Sequence, residues 1–146
     1  MDMPAEFKKS LLHVFKSMPD TTFIWKYEDV TDKLTEGLDN VYLGSWLPQN
    51  ELLGDPRLGV FVTHGGLGSV TELAMMGKPA VMIPLFADQF HNSQMLKRHG
   101  GATVLIKDNL SDAQLVQDTI QQVLTDPRYL NNAKRLAEML NNQPTN

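Results

Sequence analysis

The chain of 146 residues contains no cysteine, so it forms neither a disulfide nor a thiolate metal site. It also lacks any apolar run near the roughly 20 residues that a helix needs to cross a bilayer. Lys and Arg are scattered, and the net charge is −4, so the sequence shows no basic stripe of the kind that binds nucleic acid. We therefore expect a soluble protein with no nucleic-acid partner.

The composition is that of an ordinary globular protein, with 42% hydrophobic and 21% charged residues. Its length suits a single domain over 1–146. Apolar strand-like runs alternate with amphipathic helical patterns along the whole chain. This alternation predicts an α/β fold, a Rossmann-like parallel sheet flanked by helices. The predicted strands are 22–27, 41–45, 58–63, 80–83 and 102–106.

The predicted helices have recognisable ends. They are 4–18, a second that stops at Gly77, a third over 92–99, a fourth capped by Ser111 with Gln114, and a last one that starts at Asp126. Leu110 and Leu115 sit where a hydrophobic staple would brace the helix capped by Ser111. The strand 58–63 is nearly all apolar, which indicates that helices cover both of its faces.

The most informative segment joins that strand to the helix ending at Gly77. The strand ends at His64, passes through Gly65 and Gly66, and opens a helix with Ser69 and Glu72 on one face. Amide groups at a helix start have no intrahelical partner, and the helix dipole adds partial positive charge there. Glycines let the backbone approach a ligand closely. The segment therefore predicts an anion site suited to a diphosphate.

Further motifs lie on both sides of this turn at fixed spacing. They are Trp46-x-Pro48-Gln49, His64-Gly65-Gly66, Ser69-x-x-Glu72, Gly77-x-Pro79 and Asp88-Gln89. Together they resemble the donor-binding signature of UDP-dependent glycosyltransferases, in the animal UDP-glucuronosyltransferase and UDP-glucosyltransferase branch. The resemblance covers nearly the whole chain. It implies that the chain is the C-terminal half of a GT-B type enzyme whose N-terminal, acceptor-binding half is a missing partner.

The resemblance also implies roles for ten residues. Trp46 would stack on uracil and Gln49 would meet the base or ribose. His64, Gly65, Gly66, Gly68 and Ser69 would surround the phosphates, Glu72 would accept from ribose hydroxyls, and Asp88 and Gln89 would contact the sugar. Taken singly, each has an ordinary alternative: a core Trp (as we expect of Trp25), a helix cap, or a solvated carboxylate.

Two positions depart from the family pattern. Gly68 stands where the family usually has an Asn beside the phosphates, so a side-chain amide is lost. Asp55 replaces a common His after a short helical turn, and we expect its carboxylate to face away from the phosphates. Both departures bear on donor choice and affinity more than on the fold.

The implied reaction is inverting transfer from UDP-sugar, a co-substrate, to small lipophilic hydroxyl compounds, a chemistry typical of detoxification. There is no Asp-x-Asp motif, so we expect a metal-independent mechanism, and the resemblance implies no cofactor. Transfer needs a general base and stabilisation of departing UDP. The family's base is a His of the N-terminal half, so no catalytic residue is assigned here. We expect His13 to be solvated and His99 to lie at a helix C-terminus, while His91 is close to Asp88 and Gln89 but has no evident orienting partner. The family's animal members are anchored in the endoplasmic reticulum membrane, with this domain lumenal, through a segment absent from this chain.

Two alternatives remain open from the sequence. The chain could be a naturally separate donor-binding subunit that requires a partner chain for activity. It could also be another nucleotide-binding Rossmann-type enzyme, such as an NAD-dependent dehydrogenase. Against the second, the dinucleotide fingerprint should follow the first strand, whereas Gly66-Leu67-Gly68 follows the third.

Overall fold

The computed structural model describes residues 5–27 and 33–142. The helices are α1 (Ala5–Ser17), α2 (Gln49–Gly54), α3 (Leu67–Met76), α4 (Ala87–Arg98), α5 (Ala113–Thr125) and α6 (Pro127–Asn141). The strands are β1 (Phe23–Lys26), β2 (Val41–Gly44), β3 (Phe61–Thr63), β4 (Ala80–Met82) and β5 (Ala102–Val104). All five predicted strands are present but shorter than predicted, and the predicted helix start at Pro4 lies outside the described residues.

All strand pairs are parallel, so the predicted α/β class with helix-flanked parallel strands is confirmed. The strands nevertheless form two sheets, β1–β2 and β3–β4–β5, where the sequence predicted one. The two sheets are joined by side-chain packing, since Trp25 on β1 and Val81 on β4 belong to the same hydrophobic cluster. Trp25 is 8% exposed, which confirms its predicted place in the core.

Strand β4 is the central strand of the larger sheet, and all three of its residues are buried. Val81 packs in the cluster formed with α1 and α5, whereas Ala80 and Met82 face the cluster formed with α3 and α4. The prediction that both faces of 58–63 are covered is wrong, because Val62 is 37% exposed. Strand β3 lies at the edge of its sheet, and sheet position decides how much of a strand is covered.

Two predicted helix ends are confirmed. Gly77 adopts the left-handed conformation, φ 68°, and donates its N–H to the Leu73 carbonyl at the end of α3. At the start of α6, the Asp126 carboxylate accepts from the Arg128 amide, and Pro127 occupies the first turn.

The predicted capping box at the start of α5 is wrong by one residue. Asp112, not Ser111, is the cap, and its carboxylate accepts from the Leu115 amide at 3.1 Å. With Asp112 as the cap, the two staple positions fall on Ser111 and Val116, so the predicted staple between Leu110 and Leu115 is one residue out of register. Ser and Asp are both favourable caps, and a carboxylate at the next position can accept from the same orphan amides as the hydroxyl would.

Three strands end, and the three helices that follow them begin, around one edge of the molecule. The carboxyl ends of β2, β3 and β4 lead into Ser45, His64 and Ile83, and the helices that follow them are α2, α3 and α4. No helix within 5–27 or 33–142 has the length and apolar character needed to cross a membrane.

Candidate functional site

The site predicted from the sequence lies where strands β2, β3 and β4 end. In open parallel sheets the carboxyl ends of the strands carry the loops that bind ligands. Trp46 follows β2 by two residues, and His64 follows β3 directly. Asp88 and Gln89 lie in the first turn of α4, which follows β4.

The N-terminus of α3 is open to solvent. Gly66 is the N-cap residue and has no side chain to satisfy the orphan amides, and the first helical bond runs from the Val70 amide to the Gly66 carbonyl at 2.9 Å. The amides of Leu67, Gly68 and Ser69 therefore lack intrahelical acceptors. Because Leu67 is 68% exposed, this end of the helix is accessible to an anion in solution.

Glu72 lies about one turn beyond these amides and is held in place. Gln49, the first residue of α2, donates from Nε2 to Glu72 Oε2 at 2.6 Å, and both side chains are half-buried. The bond ties α2 to α3 and leaves the second carboxylate oxygen, Oε1, to accept from a ligand. The structure thus brings Gln49 and Glu72, 23 residues apart, into direct contact.

His64 is oriented by the strand next to it. Its Nδ1 lies 3.0 Å from the Ile83 carbonyl oxygen. A carbonyl oxygen only accepts, so Nδ1 carries the proton in this contact and Nε2 is the ring atom left for a ligand. The contact fixes the ring plane at the end of β3.

Gly65 has a conformation and surroundings that favour glycine and would strain any residue with a Cβ. Its φ is +89°, and an added Cβ would lie 2.9 Å from Ser93 Oγ. Its carbonyl accepts a hydrogen bond from Asn92 Nδ2 at 3.0 Å. The first turns of α4 therefore support the glycine turn from the inside.

The remaining predicted residues differ in exposure. Trp46 is 76% exposed, so its ring face is available to a planar base, and Asp88 is exposed at the start of α4. Gln89 is only 7% exposed. Its Oε1 accepts from the amides of Leu85 and Phe86 at 2.8 and 3.2 Å, so the carbonyl half of this side chain holds the loop before α4.

Asp55, one of the two departures from the family pattern, is engaged by a neighbouring cation. Arg57 lies 2.8 Å from its carboxylate and, by hydrogen bonding, lowers the Asp55 pKa from 3.8 to about 2. The backbone carbonyls of Asp55 and Leu58 accept from Lys78 Nζ at 2.7 and 3.1 Å, and burial lowers the pKa of Lys78. This cluster fastens the loop that leads into β3.

Two other histidines lie where the sequence placed them. His13 is exposed on α1, and His99 is exposed at the C-terminal cap of α4. His91 is exposed in the second turn of α4.

Sequence reasoning missed Asn92, which holds the glycine turn. Gln89, Asn92, Ser93 and Leu96 form the buried stripe of α4, so three of its four members are polar. Their spacing of i, i+3, i+4 and i+7 is that of an inward face. Polar residues at such positions need buried partners, and this was the signal available in the sequence.

A family model described as "UDP-glucoronosyl and UDP-glucosyl transferase" matches residues 1–146. The chain is 38% identical over 142 residues to ugt-60 of Caenorhabditis elegans. It is 36% identical over 141 residues to UDP-glucuronosyltransferase 3A1 of Xenopus laevis. These alignments cover 97% and 96% of this chain but 27% of each relative, so the chain spans about a quarter of their length.

Solved structures show the same architecture. The crystal structure titled as the glycotransferase of kitacinnamycin superposes with a TM-score of 0.83 at 25% identity, over 94% of this chain and 35% of that one. The fold of the present chain is that of one part of a GT-B glycosyltransferase.

Proposed function

The chain belongs to the UDP-glucuronosyl and UDP-glucosyl transferase family, and we propose that it binds a UDP-sugar, UDP-glucuronate or UDP-glucose, as the donor half of an inverting, metal-independent glycosyltransferase. Full-length members of this family are glycosyltransferases, so family membership argues against the alternative of a dehydrogenase. The missing partner in this proposal is an N-terminal half that binds small lipophilic hydroxyl compounds.

One juxtaposition carries the proposal. The open amides of Leu67, Gly68 and Ser69 lie three to five residues before Glu72, about 5 to 8 Å along the helix axis at 1.5 Å per residue. A nucleoside diphosphate has its phosphates and ribose hydroxyls at comparable separation. The anion would meet the helix start, and the ribose would donate to the carboxylate that Gln49 holds.

The charge of the departing UDP would be stabilised by backbone groups. Segments 58–77 and 79–96, which form this edge, contain no Lys or Arg. Amides at a helix start are fixed donors that need no reorganisation as charge develops on the leaving group. His64 is held at the end of β3 by the Ile83 carbonyl, which leaves Nε2 as the ring atom that could contact the leaving group.

The acceptor hydroxyl would need a base from the missing half. We therefore expect the isolated chain to bind UDP-sugar without measurable transfer, and to become active when the acceptor-binding half is supplied. The anomeric proton coupling of the product would report inversion. Transfer by the isolated chain would contradict this division, and retained configuration would contradict the inverting mechanism. Loss of activity in chelator, restored by a divalent metal, would contradict metal independence.

Calorimetric titration with UDP, UDP-glucose, UDP-glucuronate and NAD tests donor binding. We expect the uridine ligands to bind and NAD not to bind. Trp46→Ala should weaken UDP binding about 5- to 150-fold, since stacking of a base on an aromatic ring contributes about 1–3 kcal/mol. Tyr42→Ala, which removes a 64% exposed ring from β2, is the matched control and should leave UDP affinity unchanged. Binding of NAD without response to UDP would overturn the proposal.

We also place the full-length protein at the endoplasmic reticulum membrane with this domain in the lumen, as the resemblance implies. In sealed microsomes this region should resist added protease and become sensitive after detergent. Cleavage in intact microsomes would contradict the placement.

A further inference from the structure

The inward face of α4 is polar in the half of the helix that lies against the glycine turn. Gln89, Asn92 and Ser93 are each less than 9% exposed, in the half of α4 that faces the glycine turn. The Gln89 carbonyl is used by the loop before α4. The Asn92 amide is used by Gly65, at 3.0 Å. A buried polar side chain is retained at low cost only when it makes such bonds.

The bond from Asn92 determines where the next amide points. Within 5–27 and 33–142 there is no cis peptide bond, and in a planar trans peptide the C=O and N–H groups point in opposite directions. The Gly65 carbonyl is directed at the buried Asn92 side chain. The N–H of Gly66, in the same peptide unit, is therefore directed away from the Asn92 side chain.

Resting on the proposed function, we propose that Asn92 is a positioning residue for the diphosphate of the donor. Its side-chain amide holds the Gly65–Gly66 peptide so that Gly66 N–H joins the amides of Leu67, Gly68 and Ser69 as a phosphate donor. Asn92 itself is buried beneath the turn and does not touch the ligand. Gly65 permits the required φ of +89°.

Ser93 provides a contrast one residue away. It is completely buried, and its Oγ has no hydrogen-bond partner among the described residues. It lies close beneath Gly65 and fills space there without holding a carbonyl. Removing this hydroxyl should leave the orientation of the glycine turn unchanged.

The test uses the 146-residue chain with UDP, inorganic pyrophosphate and uridine as separate ligands. Asn92→Ala should weaken UDP and pyrophosphate binding by the same factor, about tenfold. The hydrogen bond that is lost holds the amide that donates to the charged phosphate. Uridine affinity should stay within about twofold, since its base and ribose do not use the repositioned amide. Asn92→Leu keeps nearly the same side-chain shape but has no N–H to donate, so it should give the same losses, and it covers the case in which Asn92→Ala fails to fold.

Two control variants separate positioning from a general loss of stability. Ser93→Ala should change none of the three affinities. Ser10→Ala removes another buried hydrogen bond, the one that Ser10 Oγ donates to the Leu110 carbonyl at 2.5 Å. This bond lies between α1 and the loop before α5, remote from α3. It should lower the melting temperature as much as Asn92→Ala does, while UDP affinity is retained.

The NMR signal of the Gly66 amide gives a direct readout. In the unchanged chain it should shift on addition of pyrophosphate, and in Asn92→Ala this shift should be lost. The inference is overturned if Asn92→Ala binds UDP as the unchanged chain does, or weakens uridine as much as UDP. A chain that binds neither UDP nor pyrophosphate would instead overturn the proposed function, and the inference with it.

Discussion

Replacing Glu72 by alanine removes the carboxylate that we assign to the ribose. The geometry gives this residue two separable contacts. Oε2 accepts from Gln49 Nε2 at 2.6 Å, and Oε1 is left for ribose hydroxyls. The substitution should therefore weaken ligands that contain ribose and spare ligands that consist of phosphate alone.

The magnitude follows from the charge of the acceptor. Hydrogen bonds to a charged group contribute about 1.5–3 kcal/mol, which corresponds to about a 10- to 150-fold loss of UDP affinity for one such bond. Pyrophosphate affinity should not fall, because the α3 amides remain; the removal of a nearby negative charge would raise it, if anything. Gln49 is half-buried and water can replace its lost partner, so the melting temperature should change little.

The assay is calorimetric titration of the 146-residue chain with UDP and pyrophosphate. Glu51→Ala is the matched control, because it removes an exposed carboxylate from α2 and changes the net charge equally. Equal loss of UDP and pyrophosphate affinity in Glu72→Ala would refute the ribose assignment. So would an unchanged affinity for UDP, or an equal effect of Glu51→Ala.

Three further substitutions test the surrounding structure. Gly65→Ala should lower the melting temperature and weaken UDP binding, because φ of +89° costs about 1–2 kcal/mol for a residue with Cβ, which would also lie 2.9 Å from Ser93 Oγ; an unchanged melting curve would contradict this. Leu53→Ala, at a fully buried position, should cost about 2–5 kcal/mol in urea unfolding, and a smaller loss would show that the site relaxes. Arg57→Gln should return the Asp55 pKa from about 2 towards 3.8 in an NMR titration, and no change would show that Arg57 is not the cause. Because the folded pKa is the lower one, the ion pair stabilises the fold above about pH 4, and this contribution should be lost as the pH falls towards 2.

The sequence predicted the order of elements well because its signals are local. Gly77 and Asp126 end or begin helices through their own backbone and side-chain chemistry, and both are confirmed. The predicted cap of α5 was one residue off, because Ser111 and Asp112 are adjacent and both are good caps. The sequence therefore predicts where a helix starts to within one or two residues, and the tertiary structure determines which residue it is.

The errors at the sheets and at α4 have a different cause. Val62 lies in an apolar run, yet its exposure depends on the place of β3 at a sheet edge, which no local pattern encodes. Asn92 reads as an ordinary polar helix residue until the turn at Gly65 is seen beside it, 27 residues away in sequence. The direct contact of Gln49 with Glu72 likewise depends on how α2 packs against α3.

Gly68 is the position at which a side-chain donor for the phosphates could be added, because it occupies the first turn of α3 where the family usually has Asn. A Cβ added at Gly68 would meet no atom within 4 Å, so the structure has room for the family residue. We expect Gly68→Asn to strengthen UDP binding about fivefold through one added hydrogen bond of about 1 kcal/mol. Gly68→Ala is the matched control, since it brings at least the same gain in helix propensity without the amide. If Ala and Asn strengthened binding equally, the gain would come from ordering the helix start, and the backbone amides alone would account for how this chain holds a diphosphate.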